Sequence, residues 1–221
     1  MAPSFYLCLV IGSYLIGSIP TGFVVARLRG VDIRKAGSGN IGATNVFRIV
    51  GKPAGVFVLL ADACKGYLAC TLLVHACVRW CGAVVPGHGF ESAPLLAGVA
   101  AILGHNYTCW LRFRGGKGIA TSAGVLLAVT PIGFATAFGL WLIVFAATRY
   151  VSLASVCAAA VLPFGTWLSG ANPPLIGITA GLGILAIFKH RFNIRRLLDG
   201  TENRVGGRKE KSRDSKDGRV S

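Results

Sequence analysis

Three segments of the chain combine glycines, amides, hydroxyls and cations in spacings suited to phosphorylated ligands. The first is Gly37-Ser38-Gly39-Asn40-Ile41-Gly42-Ala43-Thr44-Asn45-Val46-Phe47-Arg48. Its glycines let backbone N–H groups approach an anion, Ser38 and Thr44 add hydroxyl donors, and Arg48 offers a bidentate fork for a phosphate. The letters G-x-G-x-x-G occur at Gly37, Gly39 and Gly42, with Asp62 twenty residues further on. A dinucleotide site, however, needs a preceding strand in a βαβ unit, and Asp62 falls in an apolar run, so that reading is rejected. The plainer alternative is a flexible basic loop.

The second segment is Gly104-His105-Asn106 followed by Arg112-Phe113-Arg114-Gly115-Gly116-Lys117-Gly118-Ile119-Ala120-Thr121. It is not a Walker A loop, because no glycine stands five positions before Gly116 and Gly118 replaces the required hydroxyl. A Gly-Gly-Lys-Gly turn opening a helix is still a candidate anion nest; the plainer reading is positive charge beside a glycine turn. The third segment, Lys189-His190-Arg191-Phe192-Asn193-Ile194-Arg195-Arg196-Leu197-Leu198, closes the last apolar run. His190 and Asn193, three apart, share a helical face, within what is otherwise a basic juxtamembrane cap. Two smaller features remain. Asp62 and Lys65 pair at three-residue spacing inside an apolar run, where ions are costly and often functional. Ser155, in a helix beginning near Arg149, can look into the same space.

The chemistry these residues permit is narrow. Two-metal phosphotransfer needs clustered carboxylates, and before Lys189 the chain has only Asp32, Asp62 and Glu91. No metal is therefore expected, and no cofactor. None of His75, His88, His105 and His190 is followed by an Asp five positions on, so the histidine–aspartate acyltransferase pattern is absent. Acyl or phosphate-ester chemistry without metal remains. Seven cysteines, an odd number with no C-x-x-C pair, mostly sit in apolar runs as small hydrophobes.

The elements that must position these residues are apolar helices. The chain is 53% hydrophobic and 14% charged, with a mean hydropathy of +0.63, too apolar for a soluble domain. Spans of about 20 apolar residues cross a bilayer. The candidates are 4–26, 54–78, 93–110, 119–130, 132–148, 151–169 and 174–189, of which the fourth is short enough to be re-entrant. The fold class is thus all-α and polytopic, with about seven crossings, or five if two helices only dip in. The first loop carries Arg27, Arg29, Arg34, Lys35, Arg48 and Lys52; the third carries Arg112, Arg114 and Lys117; Arg149 lies in the fifth. Eleven more Lys and Arg follow from Lys189 on. This alternation places the N-terminus outside and the C-terminus inside. The formal charge of +15 is read as cytosolic loops meeting anionic headgroups and substrates, not nucleic acid, since the aromatics sit in apolar runs. Residues 1–198 form one integral-membrane catalytic domain. Residues 199–221 form a basic cytoplasmic tail expected to be disordered.

The stretches Gly37–Arg48, Gly104–Thr121 and His190–Glu202, with Gly17–Gly22 and Asp62–Gly66, resemble the bacterial acyl-phosphate:glycerol-3-phosphate acyltransferases, the PlsY family. The likeness runs in consistent order from about residue 5 to 203. It implies transfer of a fatty acyl group from acyl phosphate to the 1-hydroxyl of glycerol 3-phosphate, giving lysophosphatidic acid and phosphate. This is the first acylation of phospholipid synthesis, at the bacterial plasma (inner) membrane with the site facing the cytoplasm, and without acyl carrier protein. It marks Ser38, Lys117, His190 and Asn193 as catalytic candidates. Gly39, Asn40, Thr44, Asn45, Arg48, Gly115, Gly116 and Ser155 are the substrate-binding candidates. Tyr107-Thr108 departs from the family's usual aromatic–proline pair, and Arg112 and Arg114 stand where lysines are common. Two rivals remain: a transporter of an organic phosphate, which predicts polar residues along a whole pathway, and a lipid-binding scaffold.

Overall fold

The computed structural model describes residues 3–81 and 88–206, with side chains from residue 92 onward in the second stretch. The remainder of the tail expected to be disordered, from 207 on, lies outside the described residues. The described chain is helical, with no strand among its elements. In order these are α1 (Pro3–Ser18), α2 (Thr21–Leu28), α3 (Ala43–Ile49), α4 (Lys52–Leu68), α5 (Val74–Trp80), α6 (His88–Asn106), α7 (Ile119–Val129), α8 (Pro131–Thr148), α9 (Val151–Leu168), α10 (Pro173–Lys189) and α11 (Arg191–Leu198). A π-helical turn, Ala69–Leu73, joins α4 to α5, and short 3-10 turns lie at Ile33–Lys35 and Cys109–Leu111.

Four stretches are long and apolar enough to cross a bilayer: Pro3–Leu28, Lys52–Trp80, Pro131–Thr148 and Val151–Leu168. Proline shapes several of them. Pro20 has no N–H to continue the ladder and splits the first stretch into α1 and α2, while Pro131 and Pro173 sit where helices begin, at positions needing no donor. α10 and α11 form one apolar pair bent by 57° at His190. The fourth span expected from sequence is α7, whose 11 residues rise only about 16 Å, short of a crossing.

Helices pack as α1 on α6, α4 on α7, α8 on α9 and α9 on α10. Small residues set these distances: a Cβ on Gly66 would meet the Thr121 carbonyl, and one on Gly124 the Ala63 carbonyl. Interhelical contacts in membranes favour such close backbone approach. Large apolar side chains including Leu7, Ile11, Leu60, Leu72, Ile143 and Ile184 point outward and are exposed. Such an outer face suits lipid, whereas in water it would be a sticky surface.

Candidate active site

The first segment folds around one buried amide. Asn45, 2% exposed, donates from Nδ2 to the carbonyls of Ile33 (3.3 Å), Ala36 (3.0 Å) and Asn40 (2.9 Å), and its Oδ1 accepts from the Ser38 N–H at 3.0 Å. Asn40 Oδ1 accepts from the Gly42 N–H at 2.7 Å. Gly37 and Gly39 have φ of 59° and 69°, the left-handed region that glycine adopts without penalty. Asp32 accepts from the Arg34 guanidinium at two 3.0 Å contacts, a pairing that lowers its carboxyl to about 2. The outcome is a rigid loop presenting an exposed Ser38, with Thr44 in the first turn of α3 and Arg48 in its last.

The second and third segments meet directly. Lys117 Nζ donates to Asn193 Oδ1 at 2.5 Å. Asn193 Nδ2 donates in turn to Glu202 Oε1 at 2.8 Å, which also accepts from Ser152 Oγ at 3.0 Å, while Arg196 Nε donates to Glu202 Oε2 at 2.7 Å. Burial alone would raise the Glu202 carboxyl, but the hydrogen bonds from Asn193, Arg196 and Ser152 outweigh it and hold it below its ordinary value. Burial pushes Lys117 down to about 8; Glu202 acts against this, while Arg196 and Arg48 add to it. His190, at the bend between α10 and α11 and 3% exposed, has Nδ1 2.8 Å from the Ala186 carbonyl. A carbonyl can only accept, so the ring proton is on Nδ1 and the neutral ring keeps a lone pair on Nε2.

Residues 199–206, read from sequence as the start of the tail, instead fold back onto these segments. Arg48 Nη2 donates to the Asn203 carbonyl at 3.1 Å, the Val205 N–H to the Arg149 carbonyl at 3.0 Å, and Arg204 Nε to the Thr148 carbonyl at 3.1 Å. The basic loops around Arg48, Lys117 and Arg149 therefore converge on one strip of chain, 190–206. Glu202 and Ser152 were not singled out from sequence. Glu202 sits in a basic stretch whose spacing shows no partner, and Ser152 looks like any helical serine.

The glycines take a different part from the one expected. The N–H of Gly115 is donated to the Asn106 carbonyl at 3.2 Å and that of Gly116 to the His105 carbonyl at 3.1 Å, while Gly39 donates to the Ala36 carbonyl at 3.0 Å. Those three amides are given to backbone acceptors. What glycine provides is room: a Cβ on Gly115 would meet the His105 carbonyl, and one on Gly116 the His105 ring. Asn40 and Asn45 likewise direct their side-chain hydrogen bonds into their own loop. Thr108, where the family's proline would stand, donates from Oγ1 to the Ser18 carbonyl at 2.6 Å, a bond proline cannot make.

Ser155 is buried one step away from this polar cluster. Its Oγ donates to the Val151 carbonyl at 2.8 Å and accepts from Trp141 Nε1 at 3.2 Å. It borders an apolar slot between α7, α8, α9 and α10, lined by Ile119, Leu126, Phe134, Phe138, Ala158 and Leu182 among others. Ala186, whose carbonyl receives His190, and Ile119, two residues after Lys117, both line it, so the slot begins beside the cations. No group of three His, Cys, Asp or Glu able to hold a metal occurs among the described residues.

Comparison with known proteins gives this arrangement its context. The family described as glycerol-3-phosphate acyltransferase matches residues 7–200. Among curated glycerol-3-phosphate acyltransferases, that of Desulforudis audaxviator is 47% identical over 203 residues, covering 91% of this chain and 96% of its own. That of Geobacter sulfurreducens is 45% identical over 199 residues, covering 90% and 96%. Crystal structures of PlsY, an integral membrane glycerol 3-phosphate acyltransferase, in a glycerol 3-phosphate form and a lysophosphatidic acid form, align with TM-scores of 0.80 and 0.78. They are 41% and 40% identical to this chain, each covering 90% of it and 94% of their own length. The chain thus belongs to the glycerol-3-phosphate acyltransferase family and is an integral-membrane acyltransferase of that type.

Proposed function

We propose that the donor is a fatty acyl phosphate and that the acyl group passes to the 1-hydroxyl of glycerol 3-phosphate at the junction of Arg48, Lys117, His190 and Asn193. The observation that carries this is the juxtaposition of a cation cluster with an apolar slot that begins beside it. A phosphate head and an acyl tail need those two environments side by side. Arg48 holds the phosphate of glycerol 3-phosphate through its fork, with Ser38 and Thr44 as hydroxyl donors, and Lys117 neutralises the acyl phosphate. The acyl chain enters the slot past Ser155.

The chemistry then asks little of an acid–base catalyst. An acyl phosphate is a mixed anhydride, so the attacked carbonyl already carries a good leaving group. The 1-hydroxyl oxygen bonds to the carbonyl carbon, the bond from that carbon to the phosphate oxygen breaks, and the hydroxyl proton leaves with inorganic phosphate. Lys117 stabilises charge as it builds on the departing phosphate. His190 accepts through Nε2 from the acceptor hydroxyl and, with Asn193, holds it in line, so positioning supplies much of the rate. The reaction takes place on the cytoplasmic face of the bacterial inner membrane, with seven helices crossing or dipping into it and no acyl carrier protein taking part.

Purified enzyme in detergent, given acyl phosphate, is expected to release inorganic phosphate only when glycerol 3-phosphate is added, with lysophosphatidic acid seen by mass spectrometry. Uptake of glycerol 3-phosphate into proteoliposomes without acylation would favour the transporter instead. Full turnover in His190→Ala would remove His190 from the site.

A further inference from the structure

Asp62 and Lys65 on α4 lie away from the polar cluster described above, yet both are almost fully buried, as is His105 near the end of α6. Lys65 Nζ lies 2.8 Å from Asp62 Oδ1, 3.0 Å from His105 Nδ1 and 2.9 Å from the Ile19 carbonyl at the break before α2. An ammonium has three N–H donors and no lone pair. It can only donate, so His105 Nδ1 accepts from it and is bare, and the ring proton is on Nε2. That edge of the ring faces Gly116: a Cβ built there would collide with Nε2 and stand 3.0 and 3.1 Å from Cε1 and Cδ2, all three atoms of the same imidazole. The His105 and Asn106 carbonyls hold the N–H groups of Gly116 and Gly115. Gly116 also has no positive φ to demand glycine.

We propose that Asp62, Lys65 and His105 form a buried positioning relay, in which the ion pair fixes the His105 ring as the floor on which the Gly115–Gly116 turn sets Lys117. This rests on the reading of Lys117 as a substrate-phosphate ligand. The three residues touch no substrate. They are positioning residues, anchoring the turn to α4 and to the break between α1 and α2 so that Lys117 stays in register with Asn193.

A double-substitution cycle in the purified enzyme tests it, scored as kcat/KM for acyl phosphate at saturating glycerol 3-phosphate, with the folded fraction matched by thermal unfolding. Gly116→Ala alone should lose tenfold or more. His105→Asn keeps an oxygen for Lys65 while vacating space under the turn, and should lose less than tenfold. In that background Gly116→Ala should cost less than threefold further, because the three atoms nearest the methyl all belong to that ring. Multiplying losses in the double variant would overturn the relay, as would a Gly116→Ala enzyme with wild-type kinetics. A residue that only supports folding would lower the unfolding midpoint without this kinetic coupling. Lys117→Met separates the two layers. If it is fully active, the underlying reading of Lys117 falls; if it is inactive and the cycle shows no coupling, only the relay falls.

Discussion

The depressed ammonium of Lys117 makes the enzyme's alkaline limb predictable. Burial brings its pKa from 10.5 to about 8, and the proposed role requires the charged form. The pH dependence of kcat/KM follows groups in the free enzyme, so about half of the plateau should remain at pH 8 and about one tenth at pH 9. A bound phosphate favours the ammonium, so kcat should hold its plateau to higher pH than kcat/KM does. Stability moves in the opposite sense. Between about 8 and 10.5 the unfolded chain retains a proton that the folded enzyme has released, so this group makes the fold more stable as pH rises. Alkaline unfolding and loss of the ammonium are thereby separable. The assay is initial-rate phosphate release from pH 6 to 10, corrected for spontaneous acyl phosphate hydrolysis, on wild type and Lys117→Arg, with unfolding midpoints in the same buffers. Arginine stays charged throughout, so whatever activity it retains should lack the break near 8. A wild-type profile flat to pH 10, or the same break in Lys117→Arg, would refute the role of Lys117.

Other expectations follow from individual contacts. Arg48→Lys replaces a fork by a point charge and should raise the KM for glycerol 3-phosphate about tenfold, corresponding to about 1.4 kcal/mol, with the KM for acyl phosphate nearly unchanged; an unaltered glycerol 3-phosphate KM would count against the assignment. Glu202→Gln gives up charge-assisted bonds to Arg196 and Asn193, each worth about 1.5–3 kcal/mol, and should lower both the unfolding midpoint and kcat. Because the Glu202 carboxyl sits below its ordinary 4.5, its stabilising contribution is complete above that value and lost as pH falls through the depressed one. Glu202→Gln should therefore narrow its stability gap to wild type in acid. Ala158→Leu fills part of the slot and should reduce kcat/KM for long-chain acyl phosphates relative to short ones by about 10-fold, a ratio read from competition between two chain lengths.

The fold class was legible because bilayer thickness imposes a minimum apolar length that sequence displays directly. The convergence of the three segments was legible for a related reason: a chain that recrosses an apolar slab brings alternate loops to one side, and these loops carry the cations. The pair at Asp62 and Lys65 was visible from helical spacing; for His190 and Asn193 the structure instead puts a bend at His190, with only Asn193 inside α11. Other features depend on contacts that spacing does not encode. His105 joins Lys65 across forty residues of chain, and Glu202 reaches Ser152 across fifty. The backbone acceptors of the Gly39, Gly115 and Gly116 amides are hidden in the same way, because a sequence shows that an N–H exists, not what accepts it.

Those amide bonds bear on how the site is built. If the glycine amides were the anion donors, the cations would be auxiliary and the loops could remain loose until substrate arrived. With the amides of Gly39, Gly115 and Gly116 committed internally, the loops are braced by their own hydrogen bonds, and in the proposed site it is side chains such as Arg48 and Lys117 that meet the substrates. Asn193 shows how far this extends. Its Nδ2 is taken by Glu202, which fixes the amide with Oδ1 toward Lys117, so a carboxylate that need touch no substrate decides which way a catalytic candidate faces. For the acyl phosphate donor proposed above, the demand lies in holding the right hydroxyl against the carbonyl and keeping water from it. Preorganised side chains beside an apolar slot would meet that demand by positioning.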